Sequence, residues 1–373
     1  MKLLFVESSL AIYGGIERVL TDKLNWLVEY GKCEIRLLLA NQGIHPIVFP
    51  LNSKIEVHNI GIMFHQIYRY SGVKRYLKKC QLHKRFRECL HDNIESFSPD
   101  IIIFTRLEFA YDLINIKGSI PVVYESHNSY IASKFEKNGM MQKIKIRWWH
   151  HALKKVQMIV ALTNGDALEW KKLNPHVRVI PNVVHLNNTG CYSDYRNKSA
   201  IFVGRYSMQK DIGSLLKVWG LVHKRFPDWL LHIYGGYGDE QNAIIAEIKH
   251  MNANIIVHQP TSNIHEKYVE SSMLLMTSRY EPFGLVLPEA MSCGLPVVSF
   301  DCPYGPADVV TDGVDGYLVK NRDINEFANR VCQLIDNIEL CKQLGLEAIK
   351  SSKRFKSETI MPKWIELYES ICK

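Results

Sequence analysis

The sequence predicts an α/β protein built as two doubly wound parallel sheets, and three observations carry that expectation. Short β-branched or leucine-rich runs alternate with helical stretches along the whole chain. At 373 residues, 47% hydrophobic and 23% charged, the chain is long enough for two domains with cores of their own. Near its middle, Ile180 to Ser199 (IPNVVHLNNTGCYSDYRNKS) is rich in Asn, Ser and Pro and lacks periodicity, as a linker does. The boundary is placed near Val183, with residues 1–182 as a first domain and 183–356 as a second.

The opening MKLLFVESS has an apolar run of four residues before Glu7, too short for a signal-peptide core, and reads as the first strand. In the first half, strands are predicted at Leu3 to Val6, Ile35 to Leu39, Ile101 to Phe104, Val122 to Tyr124, Met158 to Leu162 and Val177 to Ile180. In the second half they are predicted at Ala200 to Val203, Leu230 to Tyr234, Ile255 to Val257, Met273 to Thr277 and Val297 to Phe300. The closing TIMPKWIELYESICK carries apolar residues at helical spacing (Met361, Trp364, Ile365, Leu367, Ile371). A helix over 357–373 would bury that stripe, with the first domain as one candidate surface. No stretch approaches the roughly 20 apolar residues of a membrane span, so the protein is expected to stay in the cytoplasm.

Nine cysteines, odd in number and never spaced Cys-x-x-Cys, point to reduced thiols and away from a zinc site. Cys293 reads as core packing. The net charge of +8 is unevenly spread. Residues 1–182 hold 26 Lys and Arg against 16 Asp and Glu, and the remainder holds 20 against 22. The excess concentrates in Tyr68 to Cys89 and Gln142 to Val156, both cationic with interleaved aromatics (Tyr68, Tyr70, Tyr76, Phe86; Trp148, Trp149). These are either solvated helix faces or a surface that meets anionic lipid or a phosphorylated acceptor. No helix-turn-helix, zinc-finger or RNA-recognition signature supports a nucleic-acid partner.

The chemistry-bearing stretch is SRYEPFGLVLPEAMSCGLPVVSF, Ser278 to Phe300. Proline is comfortable only in the first turn of a helix, so Pro288 sets a helix start near Gly284 or Leu285. Glu281 then lies in the loop before the helix and Glu289 at the end of its first turn. Amides of Gly284 to Leu287 would point from the helix end toward an anion, with Gly284 letting a ligand close to the backbone. Alone, the pair is better explained by a capping Glu and a surface Glu. Two cations, Arg205 and Lys210, follow the strand AIFVG, at the carboxyl end where such sheets bind ligands. The glycines of LLHIYGGYGDE (Gly235, Gly236, Gly238) permit close backbone approach after another strand. Together these residues describe a pocket for a nucleoside diphosphate.

The runs VGRYSMQK, YGGYGDE and SRYEPFGLVLPEAMSCGLPVVSFDCPYGPADVVTDGVDGYLV resemble the second domain of the retaining GT-B glycosyltransferases of family 4. The likeness extends more thinly to the first domain through IYGGIERVL and VVYESHNSY. The resemblance implies two Rossmann-like domains facing across a cleft, and transfer of a sugar from a nucleotide diphosphate. It implies that Arg205 and Lys210 bind the diphosphate, that Glu281 contacts the donor sugar and that Glu289 holds the ribose. The amides of Phe283, Gly284 and Leu285 would contact sugar and phosphate, the Gly14-Gly15 turn would lie against the diphosphate, and His127 would face the transferred sugar. Without the resemblance, Gly14-Gly15 reads as a strand-to-helix turn and His127 as a structural histidine. Asp308, where many relatives carry Glu, and Pro282, where Gly is commoner, depart from the pattern.

No Asp-x-Asp occurs, so the cations and the helix end are expected to neutralise the diphosphate without a metal, and no cofactor is expected. Two carboxyl groups divided by a helical turn do not suggest the roughly 5 Å pairing of a double displacement. Front-face substitution is the expected chemistry, an oxocarbenium-like sugar being held by Glu281 and His127 while the departing phosphate takes the acceptor's proton. The phrase SFDCPYGP resembles builders of bacterial surface polysaccharide, implying a UDP-hexose or UDP-N-acetylhexosamine donor and a lipid-linked or saccharide acceptor; the basic, aromatic-bearing first half separately points to peripheral contact on an anionic membrane. Two other classes stay open: an enzyme that isomerises or hydrolyses a nucleotide sugar without acceptor, and a non-catalytic sugar-nucleotide or lipid binder.

Overall fold

A computed structural model describes residues 1–132 and 140–373, the side chains of 140–143 excepted. The chain divides into two compact units. One comprises Met1–Leu162, Asp166–Val183 and Glu358–Lys373, the other Thr163–Gly165 and Val184–Ser357.

The first unit is a seven-stranded parallel sheet: β1 (Lys2–Glu7), β2 (Glu34–Leu39), β3 (Glu56–Asn59), β4 (Ile101–Phe104), β5 (Val122–Glu125), β6 (Met158–Ala161) and β7 (Val177–Val179), in the order β3-β2-β1-β4-β5-β6-β7. Its central strands carry apolar runs, with charges only at their ends, because helices cover both faces. Period-two alternation sends Leu4 and Val6 of β1 into one core and Leu3 and Phe5 into the other. The first core is closed by α2 (Gly72–Phe97), α3 (Ala110–Ile116) and α4 (Met140–Leu153). The second is closed by α1 (Gly15–Glu29) and by the carboxy-terminal helix Ser357–Cys372, whose Ile360, Met361, Trp364, Leu367 and Tyr368 are all buried there.

The second unit is a six-stranded parallel sheet: β8 (Ser199–Val203), β9 (Leu230–Tyr234), β10 (Ile255–His258), β11 (Met273–Met276), β12 (Val297–Asp301) and β13 (Gly316–Lys320), in the order β10-β9-β8-β11-β12-β13. The helices α5 (Ile212–Arg225), α6 (Val286–Ser292), α7 (Ile324–Asp336) and α8 (Ile338–Ser352) flank it. Both sheets turn direction beside their first strand, at β1/β4 and at β8/β11. A crevice opens beyond the carboxyl ends of the strands at such a point. The loops after β8 and β11 meet there in the second unit.

Two strands, β3 and β13, were not expected from the sequence. The Asn-rich stretch after Val183 has no regular structure, yet it is no free tether. Tyr195 Oη donates to the Gly294 carbonyl (2.6 Å), Ser193 Oγ to the Ser271 carbonyl (2.5 Å), and Ser292 Oγ accepts from the Asn187 amide (2.9 Å). The basic segments also need correction. Phe86 is fully buried against Phe64 and Phe109, so it is core and not surface, and Trp149 is half-buried. Tyr68 (73% exposed), Tyr76 (67%) and Trp148 (62%) do face out. Gln142 and Lys143 of the second segment lie outside the described side chains. Among the described residues, no helix is long and apolar enough to cross a membrane.

Candidate functional site: a cationic loop pair in the second unit

The loop after β8 is held in one shape from within. Lys210 and Asp211 return their amides to the Ser207 carbonyl (3.0 and 3.3 Å), and Asp211 takes a left-handed conformation (φ 48°) that Asp tolerates better than most residues. Its buried carboxylate accepts from Arg322 (2.8 Å), Arg279 (3.3 Å) and Ser214 (2.9 Å). The loop after β11 is tied to it. Thr277 Oγ1 donates to the Lys210 and Asp211 carbonyls (3.2 and 3.1 Å), and the Arg279 amide to the Gln209 carbonyl (2.8 Å).

This bracing brings Lys210 and Glu281 together. Lys210 Nζ lies 2.7 Å from Glu281 Oε2, which also accepts from Ser278 Oγ (3.0 Å). Both side chains are largely buried, at 14% and 9% exposure. The Glu281 backbone is fixed independently, its amide bonding the Pro303 carbonyl (2.7 Å) and its carbonyl accepting from Tyr304 (3.1 Å) and Gly305 (2.8 Å). Arg205, by contrast, is exposed and has no side-chain partner among the described residues.

The helix after Glu281 begins later than expected. α6 runs Val286–Ser292 with Leu285 as its cap, because Gly284 sits at φ 85° outside the helix. Pro288 falls in its first turn. The Leu287 amide is not unpaired as expected: it closes on the Gly284 carbonyl (2.9 Å). The amides of Phe283, Gly284, Leu285 and Val286 have no acceptor among the described residues. A side chain at Gly284 would crowd Glu281 Cγ and Leu287 Cδ1, each 3.1 Å from the point where its Cβ would stand, so the glycine makes room for Glu281 itself. The Phe283 ring is buried edge-on against Phe355 (5.3 Å), which leaves only its backbone for a ligand. Half-buried Glu289 stands apart from Glu281 and accepts from the buried Tyr268 hydroxyl at 3.5 Å.

Two further expectations change meaning. At Gly235 and Gly238 a Cβ would collide with the ring and the carbonyl of Tyr206, so these glycines admit the protein's own loop; at Gly236 a Cβ would meet Pro260 and Arg205 at ordinary contact distance, 3.7 and 3.9 Å. Burial pushes the Cys293 thiol up to about 12, which leaves it without nucleophilic character.

The remaining predicted residues belong to the first unit. Gly14 caps the amino end of α1 and Gly15 is its first residue, with the Glu17 carboxylate folded back against Gly14. Burial raises that carboxyl above its ordinary value. His127 follows β5, is 7% exposed, and has its Nε2 at 3.5 Å from Glu125 Oε2. Glu125 is itself buried against Lys23 of α1 and accepts from Tyr368 Oη (3.1 Å). Sequence reasoning missed Lys23, Glu125, Tyr368, Asp211, Ser278 and Tyr268. The one available signal was Lys23 itself, a charge on the apolar stripe of α1.

Residues 193–351 match the family described as glycosyl transferases group 1, and residues 13–188 match glycosyltransferase family 4. Amylovoran biosynthesis glycosyltransferase AmsD of Erwinia amylovora is 34% identical over 393 aligned positions, covering 98% of this chain and 99% of that protein. Poly(ribitol-phosphate) alpha-N-acetylglucosaminyltransferase of Staphylococcus aureus is 28% identical over 255 positions, 67% of this chain and 50% of that protein. Among solved structures, S. aureus TarM in complex with fondaparinux, alpha-GlcNAc-glycerol and UDP superposes with a TM-score of 0.79 at 17% identity, covering 99% of this chain and 100% of that one, a likeness of fold. With a relative 34% identical along nearly the full length of both chains, and both halves matched, the chain belongs to the glycosyl transferases group 1 and is a GT-B glycosyltransferase.

Proposed function

We infer that this glycosyltransferase moves a hexose or N-acetylhexosamine from a UDP-sugar to a lipid-linked or saccharide acceptor in the building of a surface polysaccharide. It does so with retention of anomeric configuration and without a metal. The observation that carries the reading is the Lys210–Glu281 pair, braced at the switch point of the second sheet with the unpartnered Arg205 nearby. The substrate class is supported by AmsD, named for amylovoran biosynthesis, by the named activity of the S. aureus relative, and by TarM, whose structure holds UDP.

In this mechanism Arg205 and Lys210 neutralise the diphosphate from opposite ends of one loop, with the amides of Phe283, Gly284 and Leu285 beside them. As the glycosidic bond lengthens, positive charge develops on the sugar. Glu281, its charge already present and its backbone fixed, stabilises that charge without reorganising. Glu289 holds the ribose, and Gly14-Gly15 and His127 serve the donor from the first unit. The leaving phosphate oxygen takes the acceptor hydroxyl's proton on the face the sugar has just left. The cationic loop fills the role of a divalent ion, in keeping with the absence of Asp-x-Asp from the sequence. Peripheral attachment to the inner face of an anionic cytoplasmic membrane is supported by the start of α2, where Lys74, Arg75 and Lys78 alternate with exposed Val73, Tyr76 and Leu77.

The test is transfer from radiolabelled UDP-sugars with and without lipid-linked or saccharide acceptors. Label should enter the acceptor fraction only when acceptor is present, with unchanged anomeric configuration. Turnover independent of acceptor would make it an isomerase or hydrolase, and none under any condition a binder.

A further inference from the structure

Glu125, Lys23, Tyr368 and His127 form a buried polar cluster in the first unit, drawn from three distant parts of the chain. Lys23 comes from the middle of α1, Glu125 from the end of β5, His127 from the loop after it, and Tyr368 from the carboxy-terminal helix. The side chains of Lys23 and Glu125 are 4% and 2% exposed. Lys23 Nζ contacts Glu125 Oε2 and lies over the rings of Trp364 (4.1 Å) and Phe5 (5.3 Å). Tyr368 Oη donates to Glu125 Oε1 at 3.1 Å. Each carboxylate oxygen is thus held by its own donor, and the carboxylate cannot turn. What it presents to the next side chain is Oε2, 3.5 Å from His127 Nε2, which has no hydrogen-bond partner at normal geometry among the described residues.

A buried ion pair is a poor way to gain stability, since apolar residues of similar volume do as well. Its value lies in fixing geometry. We propose that Lys23, Glu125 and Tyr368 are positioning residues for His127, and that the clamped Glu125 carboxylate draws the imidazole proton to Nε2 and leaves Nδ1 as the atom that accepts a hydrogen bond from a hydroxyl of the transferred sugar. The inference rests on the reading that His127 faces that sugar. It makes the carboxy-terminal helix a participant in transfer, since Tyr368 supplies one of the two clamps. Burial would push the Glu125 carboxyl up, but Lys23 and His127 outweigh it and hold it low, which keeps the carboxylate charged for this role.

The test uses the full chain. Long-range nitrogen–proton NMR of the histidine rings, with the His127 signals found by their loss in His127→Asn, should show Nε2 protonated and Nδ1 bare in the wild type. Tyr368→Phe, which removes one clamp and no charge, should mix the tautomers and lower kcat about fivefold, the scale of one hydrogen bond, with the donor KM nearly unchanged. Glu125→Gln leaves Lys23 buried without its partner and is made together with Lys23→Met, so that folding does not depend on an unpaired charge; it should abolish the Nε2 preference. A wild-type ring protonated at Nδ1, or tautomer populations and kcat unmoved in both variants, would overturn the inference. The underlying reading fails separately: if His127→Asn transfers sugar at the wild-type rate, the ring does not serve the donor, whatever its tautomer.

Discussion

Glu281→Gln is the sharpest perturbation of the second unit's site, because it deletes a charge and little else. The amide can still accept from Ser278, and the three backbone bonds of residue 281 do not involve the side chain. The fold should therefore survive. At 9% exposure the carboxylate sits between surface and interior, where an effective dielectric constant of about 20 gives two unit charges ~4 Å apart an interaction of about 4 kcal/mol. Full development of sugar charge would make its loss worth roughly 1000-fold in kcat. Lys210, 2.7 Å away, already cancels part of the carboxylate's field. Halving the interaction to about 2 kcal/mol leaves roughly 30-fold as the lower bound. The ground-state donor carries no such charge, so its dissociation constant should stay within about threefold. The assay pairs initial rates at saturating donor with calorimetric titration of the donor in the absence of acceptor. A kcat loss below about 30-fold, or an equal loss in binding, would refute the electrostatic role given to Glu281.

Glu289→Gln should do the reverse, weakening UDP binding about tenfold, the scale of a charge-assisted hydrogen bond, with kcat nearly constant; a titration with UDP alone decides, and an unchanged dissociation constant would remove the ribose role. Transfer should stay within about twofold after EDTA treatment, as expected when Arg205 and Lys210 carry the diphosphate charge; a strict need for Mg²⁺ would contradict the cationic loop. Binding to anionic vesicles should fall steeply with salt, and changing Lys74, Arg75, Lys78 and Lys79 to Ser should reduce it at about 1 kcal/mol per residue while donor hydrolysis stays the same; indifference to vesicles at low salt would make the basic helix a solvated face. The pair His232 and His258, 3.0 Å apart, gives a pH prediction. Burial, then His258 for His232 and Lys267 for both, holds these rings below the ordinary histidine value. Stability is then full above the unfolded value of 6.5 and is lost as pH falls from there through the folded values. The melting temperature should drop below pH 6.5, and His232→Gln with His258→Gln should flatten the drop; an equal drop in the variant would rule out the pair as its cause.

The alternation of apolar runs made most strands legible in the sequence, because central parallel strands are buried on both faces and must carry such runs. β3 escaped because it is an edge strand, Glu-Val-His-Asn, largely exposed and without that signal. β13 escaped because only five residues, Gly-Tyr-Leu-Val-Lys, follow a turn. Around the candidate site, Arg205, Lys210 and Glu281 were readable because each follows the end of a strand, and Glu289 because Pro288 marks the first turn of the helix that carries it. What spacing could not give was pairing. That Lys210 meets Glu281 depends on Thr277 and Arg279 tying two loops together, and that Glu125 meets Tyr368 joins residues 243 positions apart. The glycine cluster was legible as close approach, but not as the approach of Tyr206.

The carboxy-terminal helix gives the two units different histories during synthesis. Residues 184–357 emerge with every part of their own core, so the second unit can close as soon as it leaves the ribosome. The first unit has to wait, although its strands are made first. Until Ile360, Met361, Trp364, Leu367 and Tyr368 arrive, the face of the sheet that carries Leu3, Phe5, Ile101 and Val123 is covered by α1 alone, and Lys23 and Glu125 have neither the cover of Trp364 nor the hydroxyl of Tyr368. A nascent chain of this protein therefore carries a partly uncovered apolar surface through most of its translation. A fragment ending at residue 183 should be a ward of chaperones, whereas one spanning 184–357 should fold unaided.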